Sequence, residues 1–486
     1  MIFNSVTFLL FLAVTVALYW VLPRRARLWM LFLSSLTFYG FWRVEFVPVM
    51  LASAVTDYLV SLRMARTDEA RRRKVLLGIS LAVNLGLLLY FKYLIFFADN
   101  VVVLANVLGF ETDPVAWNII LPLGISFYTF QTISYTVDVY RGFIEPERDF
   151  VTYGCYVTFF PQLVAGPVLR AREVIPQLTK RPSFQSDDLA EGLRRVLYGL
   201  FLKVVLADNV APLVDAGYAV DVATLSALDV WTLAFLFGLQ IYFDFSAYSH
   251  IAIGAARMMG IVFPENFAFP YAATSPRDFW RRWHISLSSW IRDYVYLPLA
   301  GVPVRDRSTG GLATAVDQPS AAKMTRALFL TWAIMGLWHG AAWTFVLWGV
   351  YHAMFVYGYR RLGPVLERVP EAIRGVAGWA VTLPLAMLSW VAFRADGLGV
   401  TFTMYARVLD PTAYGSLGLS RNVYLVTALL TAATIGAYLV ATYVLPVLRR
   451  GPRAVWATVE SAAYGVAIAL VFVFLRPITQ FIYFQF

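Results

Sequence analysis

The stretch ALFLTWAIMGLWHGAAWTFVLWGVYHAMFVYGY, residues 327–359, carries no Asp, Glu, Lys or Arg and places His339 near its middle. An apolar run of about thirty residues exceeds the roughly 20 that a helix needs to cross a bilayer. An imidazole at that depth costs at least a few kcal/mol to insert. Histidine is also the side chain best suited to moving protons near neutral pH. The segment therefore reads both as membrane-embedded and as a candidate catalytic centre. The simpler alternative is a histidine hydrogen-bonded inside a helix bundle.

The rest of the chain extends this reading. Of its 486 residues, 59% are hydrophobic and only 14% charged, where a soluble domain carries about 25%. Long apolar runs recur from end to end, too long and too continuous for the alternating staves of a barrel. The fold class that follows is an all-α polytopic membrane protein, one integral-membrane domain over 1–486 with about ten to twelve transmembrane helices. Re-entrant segments and cytoplasmic amphipathic helices are expected beside them. The net charge of +10 does not indicate nucleic acid, because the basic residues cluster in loops beside apolar spans, as the positive-inside rule and anionic lipid demand. The single cysteine, Cys155, excludes an internal disulfide and a multi-cysteine zinc site.

Charge placement gives a topology. The first apolar run, Ile2 to Leu22, has its positives (Arg24, Arg25, Arg27) after it, so it reads as a retained helix and not as a cleaved leader. The loop with Arg63, Arg66, Arg71, Arg72, Arg73 and Lys74 is cytoplasmic on the same rule. The apolar stretch 151–168 contains Pro161, Gly166 and Pro167 and is expected to be broken or re-entrant. Residues 169–195 are expected at the cytoplasmic surface, and about 302–325 form a flexible polar linker. If 327–359 crossed once, Arg360, Arg361, Arg368 and Arg374 would lie outside, against the charge rule. An in-and-back path, broken near Gly336 or Gly340, keeps them cytoplasmic. The sum is about ten crossings with both termini outside.

Four histidines offer chemistry: His250, His284, His339 and His352. His284 lies in a run where Trp280, Trp283, Leu287 and Trp290 share a helical face and Arg281, Arg282 and Arg292 are displaced from it. One reading is an interfacial helix with aromatic anchors and lipid-facing arginines. The other is a cytoplasmic lip whose arginines hold an anionic cofactor. No Gly-x-Ser-x-Gly elbow, His-Glu-x-x-His zinc motif or Gly-rich nucleotide loop is present, so hydrolase, metal and ATP chemistries lack their usual parts. No metal site is expected. Paired intramembrane charges of the transporter kind are not evident either.

Several of these stretches carry a resemblance. Phe279-Trp280-Arg281-Arg282-Trp283-His284-Ile285-Ser286-Leu287-Ser288, then Trp290-x-Arg292-Asp293-Tyr294-x-Tyr296-x-Pro298, then Gly336-Leu337-Trp338-His339-Gly340 are similar to the signature of the membrane-bound O-acyltransferase (MBOAT) family. Leu121–Phe127, Phe159–Pro167 and Tyr242–Tyr248 match further elements, and the segments Phe3–Tyr39 and Phe481–Phe486 resemble its alginate O-acetylation branch. The resemblance implies acyl transfer from a cytoplasmic thioester, acetyl-CoA, to a hydroxyl reached from outside the bacterial inner membrane. His339 matches the family's catalytic histidine and His284 its second one. Arg281, Arg282, Arg292 and Trp283 are then the candidates for holding coenzyme A. One departure is that Pro298-Leu299-Ala300-Gly301 leads into the polar stretch Val302–Lys323 instead of a short Gly-Asn-Arg-rich loop.

In that branch the acceptor is an exopolysaccharide such as alginate. The expected partners are periplasmic acetyltransferases or SGNH-type polysaccharide-modifying proteins, with Phe481–Phe486 as a possible contact. Other acceptors, peptidoglycan or teichoic acid, remain open, as does a non-enzymatic transporter or scaffold, which predicts that replacing His339 leaves function intact.

Overall fold

The computed structural model of the chain describes residues 1–113, 117–180, 183–303 and 319–475. Most of the expected linker 302–325 and the segment Phe481–Phe486 lie outside the described residues. The protein is all-α; among the described residues there is no strand. Among the described residues, seven helical stretches are long and apolar enough to cross a membrane: Val44–Met64, Ala70–Val107, Ser186–Tyr218, Ala227–Arg257, Ile373–Arg394, Arg421–Leu448 and Arg453–Phe474. The chain is a multi-pass membrane protein. The count falls short of the expected ten because some apolar runs are short, polar or divided. The first helix has 16 residues. The run after Leu121 becomes a helix rich in Ser, Thr, Gln and Tyr. Residues 327–359 are split between two helices.

The chain packs as two compact units. The first takes Met1–Val196 and Ile251–Pro264. Its helices are α1 (Val6–Val21), α2 (Arg24–Gly40), α3 (Val47–Met64), α4 (Ala70–Leu88), α5 (Leu94–Val107), α6 (Ile125–Arg141), α7 (Phe150–Thr158), α8 (Ala171–Thr179) and α9 (Ser186–Leu200), the last running on past its edge. Phe3, Phe8, Phe38 and Phe160 meet in its aromatic core. The expected break in 151–168 is present: α7 stops at Thr158, and buried irregular chain follows to Arg170. Side chains satisfy part of that backbone, Gln162 Nε2 donating to Tyr156 O at 2.6 Å and the Tyr156 hydroxyl to Leu169 O at 3.2 Å. Gly124 lies against this loop with φ +71°, where an added Cβ would stand 2.5 Å from Leu163 O, so only glycine fits.

The second unit holds the rest of the described chain: α10 (Asp208–Tyr218), α11 (Ala227–Arg257, through His250), α12 (Pro276–Arg282), α13 (Ile285–Ile291), α14 (Leu297–Ala300), α15 (Ala321–His339), α16 (Trp343–Leu366), α17 (Glu371–Arg394), α18 (Leu398–Leu409), α19 (Arg421–Leu439), α20 (Leu445–Leu448) and α21 (Arg453–Phe474). Its α15 and α16 form a tight helical hairpin with His339 at the tip. The turn falls at Gly340–Ala342 in extended backbone. Gly336 has a different task from making the break. An added Cβ there would stand 2.1 Å from Phe345 O, and one at Gly349 would stand 2.1 Å from Trp332 O, so two hydrogen side chains let the helix backbones touch. Lys323 and Arg326 begin the hairpin and Arg360 and Arg361 end it, the charge arrangement of a segment that enters and returns.

Candidate active site

The site is assembled from two sequence segments of the second unit, 266–296 and the α15–α16 hairpin. The first begins with Asn266, which binds the chain to itself. Its backbone carbonyl accepts from Ile285 N (2.9 Å), while its Oδ1 accepts from Ser286 N (3.3 Å) and Ser286 Oγ (2.8 Å). The obligate donor at Ser286 fixes the amide orientation. His284 Nδ1, 3.1 Å from the same Oδ1, must therefore carry the proton and donate. His284 is 1% exposed, and burial pushes its imidazole down to about 3, so it is neutral at physiological pH. Its φ of +43° is rare for a residue with a Cβ. Such strain persists only where the surroundings hold it, and it concentrates at functional sites.

Around this anchor, α12 starts on a Ser275 cap whose Oγ accepts from Asp278 N. Its arginines separate by role. Arg277 and Arg281, one turn apart, line a cavity of about 460 Å³, a typical size for a small-molecule site. Arg292 reaches the same cavity from a π-helical turn, Arg292–Tyr296, a geometry common at functional sites. Arg360 of α16 joins them. Four arginines thus line one cavity whose other walls are mainly apolar, Trp280 and Trp332 among them, and Arg292 is held there by its Nε pairing with Asp293 at 2.7 Å. Guanidinium is the side chain that matches phosphate geometry. Arg282 turns away: its Nε pairs with Asp278 at 2.9 Å, and it does not line this cavity. Trp283 is buried and stacks on Phe279 with centroids 5.7 Å apart, packing the segment from behind.

The cavity follows one stripe of α15, through Leu328, Thr331 and Met335. His339 is the next residue of that stripe, one turn or about 6 Å further along the axis. It is 7% exposed and sits in an aromatic cage, with ring centroids at 4.9 Å from Trp338, 5.0 Å from Trp348 and 5.2 Å from Phe393. Rings link the two motif histidine regions: Trp348 stacks on Trp390 at 6.1 Å, and Trp390 meets Trp283 at 4.9 Å. The cavity thus combines four arginines with largely apolar walls, and His339, which does not line it, lies one turn beyond its last α15 residue, Met335. His352 is fully buried beside Trp332 and Trp348 and pairs with Ser389 at 3.1 Å.

Two features were missed in the sequence. Arg277 and Arg360 join the cavity, although Arg360 reads there only as a topology marker. The signal for Arg277 is its i, i+4 spacing from Arg281. The apparent lack of paired intramembrane charges is also corrected. Lys203 Nζ lies 2.6 Å from Asp244 Oδ1 and 2.8 Å from Asp208 Oδ1, with Lys203 and Asp244 both buried. The two ends of the main pair are 41 residues apart, so no local pattern joins them.

Comparison with known proteins gives the family. The profile of the MBOAT, membrane-bound O-acyltransferase family, matches residues 146–369, which span both histidine motifs. The chain is 39% identical over 446 residues to a probable alginate O-acetylase AlgI of Azotobacter vinelandii, covering 90% of this chain and 84% of that protein. Identity to a probable alginate O-acetylase AlgI of Pseudomonas aeruginosa is 37% over 481 residues, 96% of this chain and 87% of the relative. A peptidoglycan O-acetyltransferase of Helicobacter pylori is 34% identical over 403 residues, 77% of this chain and 72% of the relative. The chain belongs to the membrane-bound O-acyltransferase family, and it is an acyltransferase.

Proposed function

We propose that the chain moves an acetyl group from acetyl-CoA on the cytoplasmic side of a bacterial inner membrane toward O-acetylation of an alginate-like exopolysaccharide. The observation that carries this reading is the cavity lined by four arginines that follows α15 as far as Met335, one turn before His339. The arginines Arg277, Arg281, Arg292 and Arg360 hold the phosphates of the donor, and Trp280, Trp332 and Met335 flank its thioester arm. The acceptor hydroxyl attacks the thioester carbonyl carbon while His339 takes the hydroxyl proton. The C–S bond then breaks, the new C–O ester bond remains, and the proton passes to the departing thiolate to give coenzyme A. The aromatic cage keeps water from the thioester. His284, neutral and tied to Asn266, serves as a hydrogen-bonding and positioning group. Arg282 and Trp283 keep α12 in place. The names of the two alginate O-acetylases support the acceptor. Periplasmic acetyltransferases or SGNH-type proteins, which finish the transfer, are the proposed partners.

A second acceptor, peptidoglycan, is favoured by the Helicobacter pylori relative. The test is to incubate the purified protein with acetyl-labelled acetyl-CoA and either O-deacetylated alginate or peptidoglycan fragments, following free coenzyme A and labelled polymer. Label in alginate supports the first reading and label in peptidoglycan the second. Intact acetyl-CoA in both, with membrane extract added, contradicts the donor.

A further inference from the structure

The first unit contains a buried polar seam far in sequence from the catalytic motifs. Asp57, fully buried, sits within the candidate span Val44–Met64, two turns from its C-terminal end. Ser53, Asp57 and Ser61 form an i, i+4, i+8 stripe on α3. Ser80 and Asn84 form a second on α4, and Thr132 and Thr136 a third on α6. All of these residues are buried, and α3, α4 and α6 pack against one another.

The hydrogens of Ser53, Ser80, Asn84 and Thr132 are already committed. Ser53 Oγ and Thr132 Oγ1 donate to Asn84 Oδ1, at 2.6 and 3.0 Å. Asn84 Nδ2 donates to Asp57 Oδ2 at 2.7 Å and to Ser80 O at 3.0 Å, and Ser80 Oγ donates to Asp57 Oδ1. Thr136 brings its hydroxyl beside the same carboxyl without completing a hydrogen bond, and the Ser61 hydroxyl is likewise without a partner. Among the described residues, no Lys, Arg or His is among the groups acting on Asp57. What remains in the seam is a surplus of oxygen lone pairs around one uncompensated carboxylate at membrane depth.

Interhelical hydrogen bonding alone needs no acid there; an asparagine would serve at lower cost, since an unpaired charge in this setting is expensive. We propose that Asp57 anchors a site for a small monovalent metal cation, sodium. The carboxylate balances its single charge, and the hydroxyl oxygens of Ser80, Thr136 and Ser61 complete its coordination. Hard oxygen donors suit such an ion. One carboxylate without sulfur or imidazole does not suit zinc or copper, and calcium sites generally draw on more anionic ligands. Bound sodium would lock α3, α4 and α6 together, and the site is independent of the acyl donor.

The test is thermal unfolding of the full-length protein in detergent, in sodium, potassium and choline chloride at equal ionic strength and fixed pH. A ligand that binds only the folded state raises Tm in a saturable manner. The expected result is a saturable rise of a few degrees with sodium, absent in Asp57→Asn, and shifted to higher sodium concentration in Thr136→Val. Should Asp57→Asn fail to fold, Thr136→Val carries the test alone. A wild-type Tm equal in sodium and choline would overturn the site. So would a sodium response unchanged in the variants.

Discussion

Gly336→Ala adds one methyl group, yet it tests the whole hairpin. The new Cβ would stand 2.1 Å from Phe345 O and 3.0 Å from Phe345 C, where real Cβ contacts do not fall below 3.0 Å. Both obstructing atoms are backbone, so no rotamer relieves the contact. Restoring 3.0 Å requires α15 and α16 to part by about 0.9 Å, the difference between those two distances. Overpacking of this kind costs about 1–3 kcal/mol. His339 lies less than one turn further along the same helix, and a displacement of about 1 Å at a catalytic group can cost about 100-fold in rate. Gly358→Ala is the control. It lies in α16 of the same hairpin, with nothing within 4 Å of its added Cβ. There the substitution gains helix propensity, about 0.5–1 kcal/mol. Measured by Tm in detergent and by kcat/KM for coenzyme A release, Gly336→Ala should lose both and Gly358→Ala neither. Wild-type values for Gly336→Ala would refute the close packing that sets His339.

Further outcomes follow from the site. Arg281→Ala and Arg292→Ala should each raise KM for acetyl-CoA by about 10–100-fold, the worth of one charge-assisted contact. Arg282→Ala, which breaks the 2.9 Å pair with Asp278, should leave KM near wild type; equal KM effects at all three would contradict the assignment. Phe393→Ala opens the cage 5.2 Å from His339 and should admit butyryl-CoA, measured as its kcat/KM relative to acetyl-CoA. His284 gives a pH signature, because burial lowers its value from 6.5 to about 3. Keeping it neutral is costless above the unfolded value and costs stability as pH falls from about 6.5 toward the folded value, by about 1.4 kcal/mol per unit. Tm should therefore drop more steeply over that acid range in the wild type than in His284→Gln, and identical slopes would contradict the burial.

The sequence carried the membrane class, the broken stretch at 151–168 and the return at His339, because hydropathy, proline and charge placement are local signals. It also marked Arg281 and Arg292, which line the cavity, but grouped Arg282 with them, which does not. What it could not carry depends on distant chain meeting. Arg360 joins the cavity only because α16 folds back along α15, and Lys203 pairs with Asp244 across 41 residues. Arg282 shows the converse: its neighbour Arg281 lines the cavity, while Arg282 turns to Asp278, one turn away. Likewise, glycine at 336 reads as a breaker in sequence but is a contact surface in the fold.

The central claim is that His339 is the base of an acyl transfer fed from the arginine-rimmed cavity. The most direct measurement is coenzyme A release from acetyl-CoA in the presence of acceptor by wild type and His339→Ala, with binding of acetyl-CoA measured alongside. The account predicts release reduced by at least about 100-fold, the low end for loss of a general base, with donor binding retained. Undiminished release by His339→Ala would contradict it.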